Sequence, residues 1–297
     1  MAINLARLPF PDVVQSLDYE AILRELVSEF KQLWKSIRED NQSLPAYDVD
    51  ILESDPVMIV LQAFAYRELL LRSRVNGAAK ALMLATTSGT DLDHFAADFD
   101  MARLVVGKDK DGNPVFESDE AFRLRRQLAP DGYAAAGPEN AYKFFSLSAD
   151  GRIRQVEAIK GDDNRCDVVL LGRDGDGSVE QEIVSKVYEA LSPKTRRPLT
   201  DNVYVRSVSV TTQPIKVLIK LQTGPDPETI AAKSKASIET YARERSAIGT
   251  ILRVDGIIGA AHAGNSLESV TVVNPPSDVD PGKFGTVYVP EVVVEVI

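Results

Sequence analysis

Few side chains in this sequence are equipped for chemistry, and they are scattered. Its 297 residues include two histidines and one cysteine. His94 follows a Thr90 to Asp93 capping signal, and His262 lies in the small-residue run Ala260-Ala261-His262-Ala263-Gly264. Neither has a second His or a Cys at metal-ligand spacing. A packing or capping role outweighs general-base work for both. Cys166 opens the apolar run to Leu171 and reads as a small strand residue rather than a nucleophile. A single cysteine excludes an intramolecular disulfide within this sequence. The phosphate-cradling glycine loop with its lysine and the serine elbow between glycines are both absent.

The stretch Gly172-Arg173-Asp174-Gly175-Asp176-Gly177-Ser178 places acids two apart, as a calcium loop would. It lacks the remaining ligands and the distal bidentate glutamate. The simpler reading is a glycine-rich strand-to-helix turn ending in a capping serine. With 34 basic and 44 acidic residues the net charge is −10, a poor match to a polyphosphate partner. The one basic cluster, Arg123-Leu124-Arg125-Arg126, follows acids at Glu117, Asp119 and Glu120 and reads as the solvated, dipole-favoured end of a helix. The expectation is no catalytic residue, no cofactor, no metal and no nucleic-acid binding. The first eleven residues lack the apolar core of a signal peptide. Synthesis and assembly in the cytoplasm are therefore expected.

The elements that would position functional groups are clearer than the groups. Asp18 can cap a helix whose apolar stripe is Ile22, Leu26, Phe30, Leu33 and Ile37. Asp55 and Pro56 open a second helix, for which Gly89 is the natural stop. At roughly thirty residues it would be about 45 Å long. Its apolar residues fall on most faces, from Val57 through Leu61, Phe64, Leu71 and Val75 to Leu82. Such a helix needs partners on most sides. Arg67, Glu68, Arg72 and Arg74 interrupt it too early for a membrane span. Asp111-Gly112 between short apolar runs predicts a hairpin, and two short helices follow it. From about Arg152 strands and helices alternate, with Ser178 to Gln181 as a capping box. Strict alternation predicts one strand over Val203 to Val210 and a final strand over Val287 to Val296.

These elements give an α+β fold class: an N-terminal long-helix bundle region followed by C-terminal mixed α/β domains whose element order fits two β-α-β units. The expected divisions are 1–104 for the helical bundle region and 105–150 for the hairpin excursion and connecting helices. Two α/β domains follow, over 151–212 and 213–297.

The run Asp55-Pro56, Leu61-Gln62-Ala63-Phe64-Ala65-Tyr66-Arg67-Glu68, Leu71-Arg72, Arg74-Val75-Asn76, Ala78-Ala79 and Gly89-Thr90-Asp91-Leu92-Asp93 resembles the baseplate J-like family. Ala136 to Phe144, Ala149-Asp150-Gly151-Arg152-Ile153, Gly175-Asp176-Gly177 and Arg197-Pro198-Leu199-Thr200-Asp201 resemble it too. The family comprises baseplate assembly proteins of contractile phage tails, phage-tail-like bacteriocins and related injection systems.

The resemblance implies a non-enzymatic baseplate wedge component, bundled with a second wedge protein through its long helices. It also implies that the C-terminal part links further copies of the chain, and so neighbouring wedges, into a ring. Sheath-linked and tube- or hub-linked baseplate proteins are the other implied partners, with no membrane insertion. The expected bundle-interface residues are Ile22, Leu26, Leu33, Leu61, Phe64, Tyr66, Arg67, Glu68, Leu71, Arg72, Arg74, Val75 and Leu82. Two other readings stay open: a soluble hydrolase with an unrecognised acidic site, and an oligomeric scaffold outside tails.

Overall fold

Capping chemistry and apolar spacing set the helices in the computed structural model. It describes residues 5, 8–9, 11–47, 52, 55–133, 139–161, 165–193, 196, 202–221, 226–262 and 267–297. The chain is α+β, with its longest helices toward the N-terminus and its strands in the C-terminal half. It divides into two compact units, residues 1–100 and 101–297.

The first unit is helical. Helix α1 (Tyr19–Asp40) starts where Asp18 Oδ1 accepts from the Ala21 N–H at 3.0 Å, as its sequence predicts. Its far end is held by aromatic packing. Tyr47 meets Phe30 edge-on at 5.2 Å and Trp34 at 5.7 Å, while Trp34 Nε1 donates to the Pro45 carbonyl. Helix α2 (Pro56–Ala81) has Pro56 in its first turn, but Asp55 does not cap it. The Asp55 carboxylate accepts instead from the Leu52 N–H at 2.9 Å. The helix also ends before Gly89: Thr86 Oγ1 donates to the Lys80 carbonyl at 2.8 Å, satisfying a last-turn acceptor. Gly89, with φ +54°, opens α3 (Gly89–Ala97).

The second unit begins with the predicted hairpin, β1 (Val105–Lys108) against β2 (Pro114–Phe116). Asp109 makes its turn by accepting from the Asp111 and Asn113 N–H groups, and Gly112 supplies the positive φ. Helix α4 (Asp119–Leu128), a 3-10 turn (Ala129–Tyr133) and α5 (Glu139–Ala149) follow. The proline expected to open α5, Pro138, lies outside the described residues.

Strand β3 (Ile153–Lys160) pairs antiparallel with β4 (Arg165–Gly172), and β4 pairs in parallel with β5 (Asn202–Ser207). Helix α6 (Gln181–Leu191) joins β4 to β5, so β4-α6-β5 is a β-α-β unit. Ser178 does not cap α6; its N–H and hydroxyl both donate to Asp176 Oδ1, and the N-cap position falls on Glu180. Gly177 is required in that turn: φ is +86°, and a Cβ there would stand 2.5 Å from Leu171 Cδ1.

The strand expected over Val203 to Val210 is divided at Val208. The Val208 N–H donates to Leu170 O, and the next N–H, Ser209, donates to Phe284 O. β6 (Ser209–Thr212) therefore leaves the first sheet and pairs in parallel with β9 (Gly285–Tyr288). The second sheet has the order β10-β7-β8, with β7 (Ile215–Leu221), β8 (Leu267–Asn274) and β10 (Val292–Val296). Helices α7 (Pro227–Arg245) and α8 (Val254–His262) connect β7 to β8. That half keeps the strand-helix-strand order but joins antiparallel strands; the parallel partner of β7 is β10. The expected final strand over Val287 to Val296 is interrupted by Val289-Pro290-Glu291, since proline cannot donate to a ladder.

Two cores and a junction fill this unit. Val168 and Leu170 of β4 face α5 and α6, in a core with Ile153, Ile183, Val187 and Leu191. Ile215, Val217 and Ile219 of β7 face α7 and α8, packing with Ile238, Leu252 and Ile257. The other face of β4, Val169 and Leu171, meets Val208 and Ile248.

Candidate interaction surface

The surface of α2 is the feature the fold does not use. Among its 26 residues the buried ones are Ala65 and Asn76. Phe64 is 61% exposed, Leu71 64% and Leu82 77%, and Ile59, Val60, Tyr66, Leu70 and Val75 are exposed as well. Val60, Leu71 and Leu82, the last at the C-cap just past the helix end, recur every eleven residues, with Phe64 and Val75 one turn on from the first two. Eleven residues in three turns is about 3.67 per turn. A stripe with that period runs almost parallel to a straight helix axis, for about 33 Å. Each such side chain contributes about 1.5–3 kcal/mol when removed from water.

The other expected interface residues divide between intrachain and open positions. Ile22 is buried, Leu26 and Leu61 are partly buried, and Leu33 is exposed. Arg72 Nε donates to Glu68 Oε1 at 2.8 Å, and its Nη2 lies 3.8 Å from Glu25 on α1. Glu68 and Arg72 thus pair within α2, and Arg72 alone reaches α1, through Glu25, in a partly exposed contact of small energetic weight. Arg67 and Arg74 are exposed.

Asn76 was not singled out by spacing. It clamps Gln15, accepting from its N–H at 3.0 Å and donating to its carbonyl at 2.8 Å. Asparagine is a poor helix former, and its place inside α2 is the sequence signal.

The residues weighed for chemistry have structural surroundings. His94 and His262 are exposed on short helices, and Cys166 is half-buried on β4. Asp174 is exposed in the turn that Asp176 closes. No group of three or more metal-capable side chains occurs among the described residues.

The buried carboxylates each face a guanidinium. Glu117 meets Arg125 at 2.5 Å, Asp150 meets Arg152 at 2.8 Å, and Asp167 meets Arg165 at 3.2 Å. Arg125 corrects the solvated-face reading of its cluster. It lies on the buried side of α4 with Phe122 and Leu128, donates to Glu117 and to the Ala102 carbonyl, and stacks on Phe122. The Arg152 side chain, foremost, holds the Asp150 carboxyl well below the usual aspartate range; Lys186 adds to it.

Residues 53–110 match the model of the baseplate J-like N-terminal domain. The chain is also 34% identical over 282 residues to baseplate protein J of Escherichia phage P2, covering 93% of this chain and 92% of that protein. The chain belongs to the baseplate J-like family. The domain match contains α2 whole and ends in the β1–β2 turn. A baseplate J-like protein is a structural component of a phage-tail baseplate, where it meets other baseplate proteins.

Proposed function

We propose that this protein is a wedge component of the baseplate in a contractile tail or tail-like particle, acting structurally rather than catalytically. The carrying observation is the apolar stripe of α2, exposed along the helix. Its occupant is the helix of a second wedge protein, completing a bundle with α1 and α2. Obligate interfaces resemble a core cut in half, and this stripe has that composition. Leu33, Leu61, Phe64, Tyr66, Leu71, Val75 and Leu82 form the contact, with Arg67 and Arg74 available to ion pairs at its margin. The C-terminal α/β part, from about Arg152 onward, links copies in neighbouring wedges into a ring, and assembly takes place in the cytoplasm.

Particles carrying Phe64→Asp or Leu71→Asp test the bundle. Each change places an unpaired charge in the contact, which is strongly unfavourable on burial. The expected result is a chain that folds normally but gives no baseplates by electron microscopy. Intact contractile particles from either variant would refute the bundle.

A further inference from the structure

Three arginines in the second unit converge with no carboxylate paired to any of them among the described residues. Arg154 lies on β3, Arg173 follows β4, and Arg243 lies in the last turn of α7. All three line one cavity of about 420 Å³, together with the β9–β10 connection around Tyr288 and Pro290. Arg154 Nη2 donates to the carbonyl and hydroxyl of Ser246. Arg173 Nε donates to the Gly151 carbonyl at 2.7 Å. Arg243 makes only long bonds, to the Glu239 carbonyl at 3.4 Å and Thr240 Oγ1 at 3.5 Å.

Among the described residues no carboxylate pairs with any of the three. By contrast, Arg103, Arg125 and Arg165 in the same unit each pair with a carboxylate, and Arg152 pairs with two. Burial first, and then the positive charge of Arg173, hold the Arg154 guanidinium below the ordinary arginine value. Arginine keeps its charge under such pressure, so the site carries uncompensated positive charge.

The lining also includes Glu239 and Glu291, which leave one net positive charge among the five ionised side chains. That balance suits a single carboxylate. It opposes a nucleic-acid backbone, which carries a phosphate at every step. Ala242, Val289 and Val292 add apolar surface suited to a methylene stem. The guanidinium fork matches carboxylate geometry in a bidentate manner.

We propose that this cavity seats one Glu or Asp side chain presented by an adjoining protein in the assembled particle. The adjoining protein rests on the assembly role proposed above; the carboxylate specificity does not.

The purified full-length chain is titrated with glutarate, and separately with sulfate, while the arginine Nε–Hε signals are followed by NMR. Saturable glutarate shifts at Arg154 are expected, with sulfate binding weaker and Arg243→Gln lowering glutarate affinity roughly ten-fold. Particles carrying Arg243→Gln are expected to assemble roughly ten-fold less well, with the melting temperature of the chain unchanged. Arg243→Lys, which keeps the charge but not the fork, should fall between.

Absence of a saturable glutarate shift would overturn the cavity's specificity. Glutarate binding together with wild-type assembly of Arg243→Gln particles would overturn the protein source of the carboxylate. The Phe64→Asp chain should still bind glutarate, so failure of the bundle reading is separable from failure of this one.

Discussion

Helix α2 and strand β4 are both built from apolar runs, yet only β4 is covered by its own unit. Val168 and Leu170 of β4 enter one core, while Val169 and Leu171 enter the junction on the opposite face. A strand has two faces, and two layers of one chain are enough to cover them. A helix with apolar residues all round presents a cylinder. Only two residues of α2, Ala65 and Asn76, are buried. Similar composition therefore means completed packing in one place and exposed apolar surface in the other.

The contrast breaks most easily at the buried charge of the second unit. Glu117→Gln leaves Arg125 buried beside a neutral group and should cost about 3–5 kcal/mol in urea unfolding. Replacing the pair with apolar residues of similar volume should cost much less. Leu170→Ala comes next, at about 2–5 kcal/mol. Leu71→Ala in the isolated chain should change stability by less than about 0.5 kcal/mol. Equal losses for the two leucines would end the comparison.

A middle-sized effect sits at Asp150. Its carboxyl is depressed in the folded state, so it adds stability above the unfolded aspartate value of about 4. That stability is lost as pH falls toward the folded value. Asp150→Asn should remove on the order of 2 kcal/mol at neutral pH and flatten the acid limb of a stability–pH curve. An unchanged acid limb would show that the Arg152 pair is not linked to folding.

The first unit gives the smaller effects. Asn76→Ala should cost about 1–2 kcal/mol and speed hydrogen exchange at the Gln15 amide, with little change elsewhere. Glu25→Gln, at an exposed pair, should cost less than about 0.5 kcal/mol by chemical denaturation.

Local rules made much of this fold legible. The Asp18 cap, the Asp111-Gly112 hairpin and the β4-α6-β5 order follow from residues close in sequence. What escaped depended on distant partners. Arg125 reads as solvent-facing until Glu117 and the Ala102 carbonyl are brought against it. The strand break at Val208 cannot be read from an alternating pattern, because it is set by where Leu170 and Phe284 offer acceptors. Thr86 ends α2 through a side-chain bond, although threonine carries no stop signal comparable to glycine. The candidate interface was readable as excess apolar residues. Which of them face solvent required α1 in place, since Ile22 belongs to the same stripe as Leu33 yet is buried. The arginine cavity joins β3, the end of β4, α7 and the β9–β10 connection, so no local motif announces it.

The division of one strand at Val208 also governs how the second unit comes apart. Its backbone is held by β4 on one side of the break and reaches β9 on the other. Neither sheet can unzip without loading the other through Val208, the single residue between β5 and β6, so the two cores should melt as one cooperative transition. The covalent chain itself thus joins the two sheets, alongside the side-chain packing of the junction.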